Sequence, residues 1–137
     1  MGEVKHAVLR WRDGLVFTGG EPGGPQVTID ADNREAPGPM LQLLLAAAAC
    51  SATDVLLILR KMRADVRRLE VVLDGTRRDE EPRRYTRLDL AWTVAGDGLD
   101  EAKVRRAIEL SLEKYCSVMA TLAPDLVLHY DVRLAGA

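Results

Sequence analysis

The sequence predicts an α+β domain, and three observations carry that prediction. Apolar residues recur with a period of two in the first third, in the middle and at the end of the chain, while two other segments carry helical spacing. The strand segments come in hairpin-like pairs. The resulting order of strands, helix, strands, helix, strand favours largely antiparallel sheets with segregated helices. A chain of 137 residues suits one core, since single cores commonly hold ~100–150 residues, so one domain over residues 1–137 is expected.

The first strand is read over residues 4–11, where Val4, His6 and Val8 alternate with Lys5, Ala7 and Leu9. Asp13-Gly14 is a tight-turn pair, and residues 15–18 return as a second strand. The Gly- and Pro-rich run 19–25 is a turn, residues 26–30 form a short strand, and residues 32–38 form a loop. Pro39 suits the first turn of a helix, where its missing N–H leaves nothing unpaired. That helix is expected to run to about Arg63. Leucine and alanine surround it on all faces, which places it in a core or in a core shared with a partner. Arg60, Lys61 and Arg63 complement its C-terminal dipole. Leu69, Val71 and Leu73, then Leu88, Leu90, Trp92 and Val94, mark a hairpin with one wet face. Asp100 is placed to cap a second helix, in which Val104, Ala107, Ile108, Ser111, Leu112 and Tyr115 share the helical period and which continues or bends beyond Cys116. Pro124 stops it. Leu128, Tyr130, Val132 and Leu134 lie on one face of a last strand.

Charge excludes some functions. The 19 basic and 21 acidic residues leave a net charge of −2, which gives no global attraction to nucleic acid or to an anionic membrane. The arginine pairs 67–68, 77–78 and 83–84 read as solvated faces and turns. Neither a leader-like start nor a membrane span is expected, since the apolar run of residues 43–50 is short of the ~18 needed. Two cysteines are too few for a disulfide scaffold. A reducing, cytoplasmic setting follows, in which any disulfide would be transient or catalytic.

The candidate chemistry rests on Cys50 and Cys116, one on each predicted helix. Core packing is the plain alternative for both, because free cysteine is a favoured core residue. If the helices cross at these points, a reactive thiol could attack a peroxide, become a sulfenic acid and condense with its neighbour. His6 and His129 are single and scattered, without zinc-site spacing, so neither a metal nor a cofactor is expected.

These residues resemble a known family. Pro39-Met40 followed by a Leu/Ala run into Cys50-Ser51-Ala52-Thr53-Asp54-Val55 is similar to the first-helix motif of the OsmC/Ohr family. The charged segment 77–86 resembles its hairpin, and Glu113-Lys114-Tyr115-Cys116-Ser117-Val118 its second cysteine motif. The likeness is greatest to the OsmC-like redox protein branch. It implies an OsmC-like fold with antiparallel sheets wrapped around two long helices in an intertwined homodimer. It also implies reduction of organic hydroperoxides by a peroxidatic Cys50 and a resolving Cys116, with a lipoylated or thioredoxin-like dithiol as reductant. An arginine in the loop before the helix, here Arg34, would favour the thiolate, and Glu35 could orient it. Leu41 stands where the family motif has a glutamate, with Gln42 next. Two other readings stay open: a non-enzymatic dimer that binds a small apolar or thiol-reactive ligand, and a cysteine redox sensor.

Overall fold

Strands β1 (Val8–Asp13), β2 (Val16–Gly20) and β3 (Gln26–Asp30) form an antiparallel meander. The computed structural model that describes this chain covers residues 2–135. β1 starts at Val8 rather than at residue 4. Val8 pairs with Gly20, the last residue of β2, so the chain before Val8 has no strand to pair with. Gly14 makes the β1–β2 turn with a φ of 52°, a backbone region that glycine enters without a Cβ penalty.

The chain divides into two compact units, one up to Leu45 and one from Ala46 on. The first holds the meander, the loop after it and the start of the helix α1 (Pro39–Lys61). Its organising residue is Asp30, whose buried carboxylate accepts the N–H groups of Asp32 (2.9 Å), Arg34 (3.2 Å) and Glu35 (2.9 Å). These donors hold the Asp30 carboxyl below its ordinary range.

In the second unit, α1 ends two residues before the expected limit. Arg63 adopts a left-handed φ of 65°. The Ala64 N–H donates to the Leu59 carbonyl and the Arg63 N–H to the Arg60 carbonyl, each at 3.0 Å, the pairing that closes a helix C-terminus. α1 has 23 residues and a mean hydropathy of 1.9 over its most apolar window. It is therefore long and apolar enough to cross a membrane, which the eight-residue run read from the sequence was not. Core helices of globular proteins pass the same test, and the middle of α1 is tied by hydrogen bonds to a turn of the same unit.

The long strands β4 (Asp65–Arg77) and β5 (Tyr85–Asp97) pair antiparallel, and β6 (Val127–Leu134) completes the sheet on the other side of β5. β5 and β6 run parallel, which departs from the antiparallel expectation. The helices between them form a crossover, and a crossover returns the chain in the same direction. Leu88, Leu90, Trp92 and Val94 of β5 are fully buried, as are Val55 and Leu59 of α1. Helix α2 (Glu101–Leu110) buries Val104, Ala107 and Ile108 and is capped by Asp100, which accepts the Lys103 N–H at 2.8 Å. α2 spans 10 residues and is followed by further helical turns, so both predicted helical segments are present.

Candidate functional site

The middle of α1 carries a run of small residues, Ala46 to Ala49, followed by Cys50, Ser51 and Asp54. Ser51 and Asp54 are hydrogen-bonded to Ser111, the first residue of a π-turn, Ser111–Tyr115, which follows α2 directly. The Cys116 N–H closes it by donating to the Ser111 carbonyl at 2.8 Å. Cys116 then leaves helical geometry (φ −73°, ψ 103°) and its carbonyl starts a short helix α3 (Ser117–Thr121) by accepting the Ala120 N–H at 3.0 Å. The second predicted helix thus does bend at Cys116. A π-turn closes its hydrogen bond over one more residue than an α-helix and occurs often at functional sites.

The two cysteines lie close enough for one to act on the other's thiol. Both thiols are free, with Cys50 half-buried and Cys116 buried. The Cys116 thiol is pushed up to about 11, above all by burial. The Met119 N–H opposes this by favouring the thiolate, without closing a capping hydrogen bond. The nearby Cys50 side chain and the negative charge of Asp54 push it up further. Cys116 therefore keeps its proton at neutral pH.

Behind the thiols lies a polar cluster. Ser51 and Ser111 are fully buried, and their hydroxyls bond to each other at 2.9 Å. The Ser111 hydroxyl also lies 2.9 Å from Asp54 Oδ2, to which it donates. Asp54, one helical turn beyond Cys50, also lines an open pocket of about 250 Å³ with Leu57, Ile58, Lys61 and Tyr115. The sequence does not announce this cluster: Ser111 falls within the helical period of Val104 to Tyr115, and Ser51 and Asp54 stand inside the first cysteine motif. The signal it does carry is a serine at a core position of the second helix, since a buried hydroxyl needs a partner.

The other predicted residues lie in the first unit. Arg34 is exposed, and its backbone and charge both serve Asp30. Glu35 does not orient Arg34. It takes two guanidinium N–H groups of Arg12, one of them at 2.7 Å, and this pairing holds the Glu35 carboxyl low. Leu41 is exposed, and Gln42 is engaged elsewhere, donating to the carbonyls of Thr28 (2.7 Å) and Pro37 (3.0 Å). His129 lies 3.5 Å from Asp89 on the outer face of the second sheet. Among the described residues no group of three or more His, Cys, Asp or Glu side chains is placed to hold a metal ion.

An α+β chain with a free cysteine on each of two helical segments, one acting on the ionisation of the other, defines the class, an α+β protein with a candidate thiol site. The particular family follows from comparison. The family model described as OsmC-like protein matches residues 31–130, and the chain belongs to that family. It is 43% identical over 129 residues to Protein YhfA of Escherichia coli, covering 92% of this chain and 96% of that protein. Its structure is similar to that of a hypothetical protein from Aquifex aeolicus (29% identity, TM-score 0.88, 99% of each chain). It also shares its fold with an organic hydroperoxide resistance protein OsmC, described as a predicted redox protein, from Legionella pneumophila (11% identity, TM-score 0.67, 96% of this chain and 98% of that one).

Proposed function

We propose that this protein reduces organic hydroperoxides with its cysteine pair, Cys50 attacking and Cys116 resolving, as part of a cytoplasmic response to oxidative stress. The observation that carries this reading is a pair of free thiols close enough for Cys50 to act on Cys116, one half-buried and one buried and protonated. In the first step the Cys50 thiolate attacks the O–O bond and takes one oxygen as a sulfenic acid, and the alkoxide leaves as an alcohol after gaining a proton. In the second, Cys116 loses its proton and its sulfur bonds to that of Cys50. The S–O bond of the sulfenic acid breaks and hydroxide leaves with a proton as water, so Cys50 is reduced and Cys116 oxidised. An external dithiol, lipoylated or thioredoxin-like, returns the disulfide to two thiols.

Two further parts belong to the proposal. Arg34 is assigned as the cation that favours the Cys50 thiolate, an assignment that rests on the family resemblance. A second copy of the chain covers the exposed Leu41, Leu45, Leu56 and Leu57 of α1, since exposed leucines repeated along one apolar helix suit an obligate interface. The rival reading, a non-enzymatic binder of a small apolar or thiol-reactive molecule, draws on Leu41 in the glutamate position.

The test is consumption of cumene hydroperoxide with dithiothreitol as reductant. Wild type is expected to turn over and Cys50→Ser to fall to the uncatalysed rate. Cys116→Ser is expected to stall after one equivalent unless dithiothreitol reaches the sulfenic acid. Equal rates for wild type and Cys50→Ser would end the peroxidase reading and favour the binder. A Cys50–Cys116 disulfide that forms once but turns over slowly would favour a redox sensor.

A further inference from the structure

The buried hydroxyl pair of Ser51 and Ser111 takes no part in the cysteine chemistry described so far, yet each serine is tied to one cysteine. Ser51 follows Cys50 directly on α1, and the Ser111 carbonyl accepts the Cys116 N–H at 2.8 Å. The single hydrogen of the Ser111 hydroxyl goes to Asp54 Oδ2 at 2.9 Å, so the Ser51 hydroxyl is the donor in the Ser51–Ser111 bond, also 2.9 Å. Both serines are fully buried, so water does not stand in for either bond, and breaking one leaves a hydroxyl unpaired. The path from the first cysteine to the second therefore runs through one peptide link, one hydroxyl pair and one backbone hydrogen bond, although Ser51 and Ser111 are 60 positions apart in the chain.

We propose that Ser111 is a positioning residue: with its carbonyl on Cys116 and its hydroxyl on Ser51, it holds the second cysteine beside the first and so sets how readily the two thiols close into a disulfide. This rests on the two-cysteine reading above. The physical reason is that the two redox states need the link unequally. In the disulfide, the S–S bond itself holds α1 to the π-turn. In the dithiol, only packing and this hydrogen-bonded link do so. Removing the link loosens the dithiol more than the disulfide, and closing the pair then costs orientational freedom that the intact frame has already given up. The geometry a disulfide accepts is narrow, so added freedom at either sulfur lowers the share of productive orientations.

The experiment measures the redox equilibrium of the intact protein in mixtures of reduced and oxidised glutathione. Each disulfide formed oxidises the Cys50 and Cys116 thiols and converts one oxidised glutathione into two reduced molecules, which take up the two thiol protons. Samples are quenched in acid and alkylated, and the oxidised fraction is read by mass. Ser111→Ala is expected to lower the equilibrium constant for disulfide formation about three- to tenfold, the scale of freeing part of one residue's backbone. That raises the potential by about 15–30 mV. Ser51→Ala breaks the hydroxyl pair alone and leaves Asp54 to hold Ser111. It is expected to shift the constant in the same direction by about two- to threefold, and it takes the place of Ser111→Ala if that variant does not fold. Asp100→Ala removes the cap of α2, which lowers stability without touching the link, and is expected to leave the constant at the wild-type value. Wild-type constants in the folded serine variants overturn the proposal. So does an equal fall in Asp100→Ala, which would make the effect one of general loosening. A wild-type protein that forms no Cys50–Cys116 disulfide at any glutathione ratio overturns the two-cysteine reading as well, whereas an unchanged constant in the serine variants sinks this proposal alone.

Discussion

Replacing Ser111 with alanine removes the hydroxyl that joins α1 to the π-turn. Two interactions go with it. The Asp54 carboxylate loses its 2.9 Å donor, and the Ser51 hydroxyl, fully buried, loses its 2.9 Å partner. A hydrogen bond to a charged group contributes about 1.5–3 kcal/mol and a neutral one about 1 kcal/mol, and a hydroxyl left buried and unpaired keeps its desolvation cost, so Ser111→Ala should lose about 2–4 kcal/mol. The assay is urea unfolding followed by tryptophan fluorescence, at matched protein concentration because association changes apparent stability. The midpoint should fall with an unchanged slope, the mark of a change in stability alone. Adding Ser51→Ala should cost much less in the Ser111→Ala background than alone, because neighbours in one network do not add. A loss below about 0.5 kcal/mol, the size of an ordinary surface change, would refute the claim that this cluster fastens the two cysteine-bearing segments together.

Two other predictions concern the frame around the site. Asp30 is held below its ordinary carboxyl range by backbone N–H groups; a depressed folded value stabilises above the unfolded one and is lost as pH falls through the folded one. Stability should therefore drop below about pH 4, and Asp30→Asn should flatten part of that slope in melting curves taken between acid and neutral pH, whereas parallel curves would contradict the role given to Asp30. Arg63 closes α1 in a left-handed conformation, which costs a side-chain-bearing residue about 1–2 kcal/mol. After allowing for the extra chain freedom of glycine, Arg63→Gly should raise stability by about 0.5–1 kcal/mol, and a lower melting temperature would argue that the arginine side chain does more than end the helix.

The sequence carried the elements that rest on local chemistry. Pro39 opens α1, Asp100 caps α2, and the alternation of Leu88 to Val94 marks the buried face of β5. Motif resemblance located Cys50 and Cys116, which local periodicity leaves as core residues. Other features were hidden for stated reasons. β4 was legible only from Leu69 to Leu73 because its pairing slips at Arg67 and again after Thr76, and a bulge shifts side chains from one face to the other. The direction of β6 depends on a crossover, which no single strand pattern encodes. The partner of Glu35 is Arg12, 23 positions earlier, where spacing says nothing about contact. The Ser51, Ser111 and Asp54 cluster joins two segments far apart in sequence, and each of its members looks ordinary alone.

The π-turn before Cys116 makes Ser111 the residue on which both cysteine-bearing segments are set. Its closing bond reaches back five residues to Ser111, where an α-helix would reach back four. The Ser111 carbonyl fixes where the Cys116 backbone begins, while the Ser111 hydroxyl is bonded to Ser51 and Asp54 of α1. A change at this one position is therefore felt on both sides, through its backbone in the turn and through its side chain in the helix.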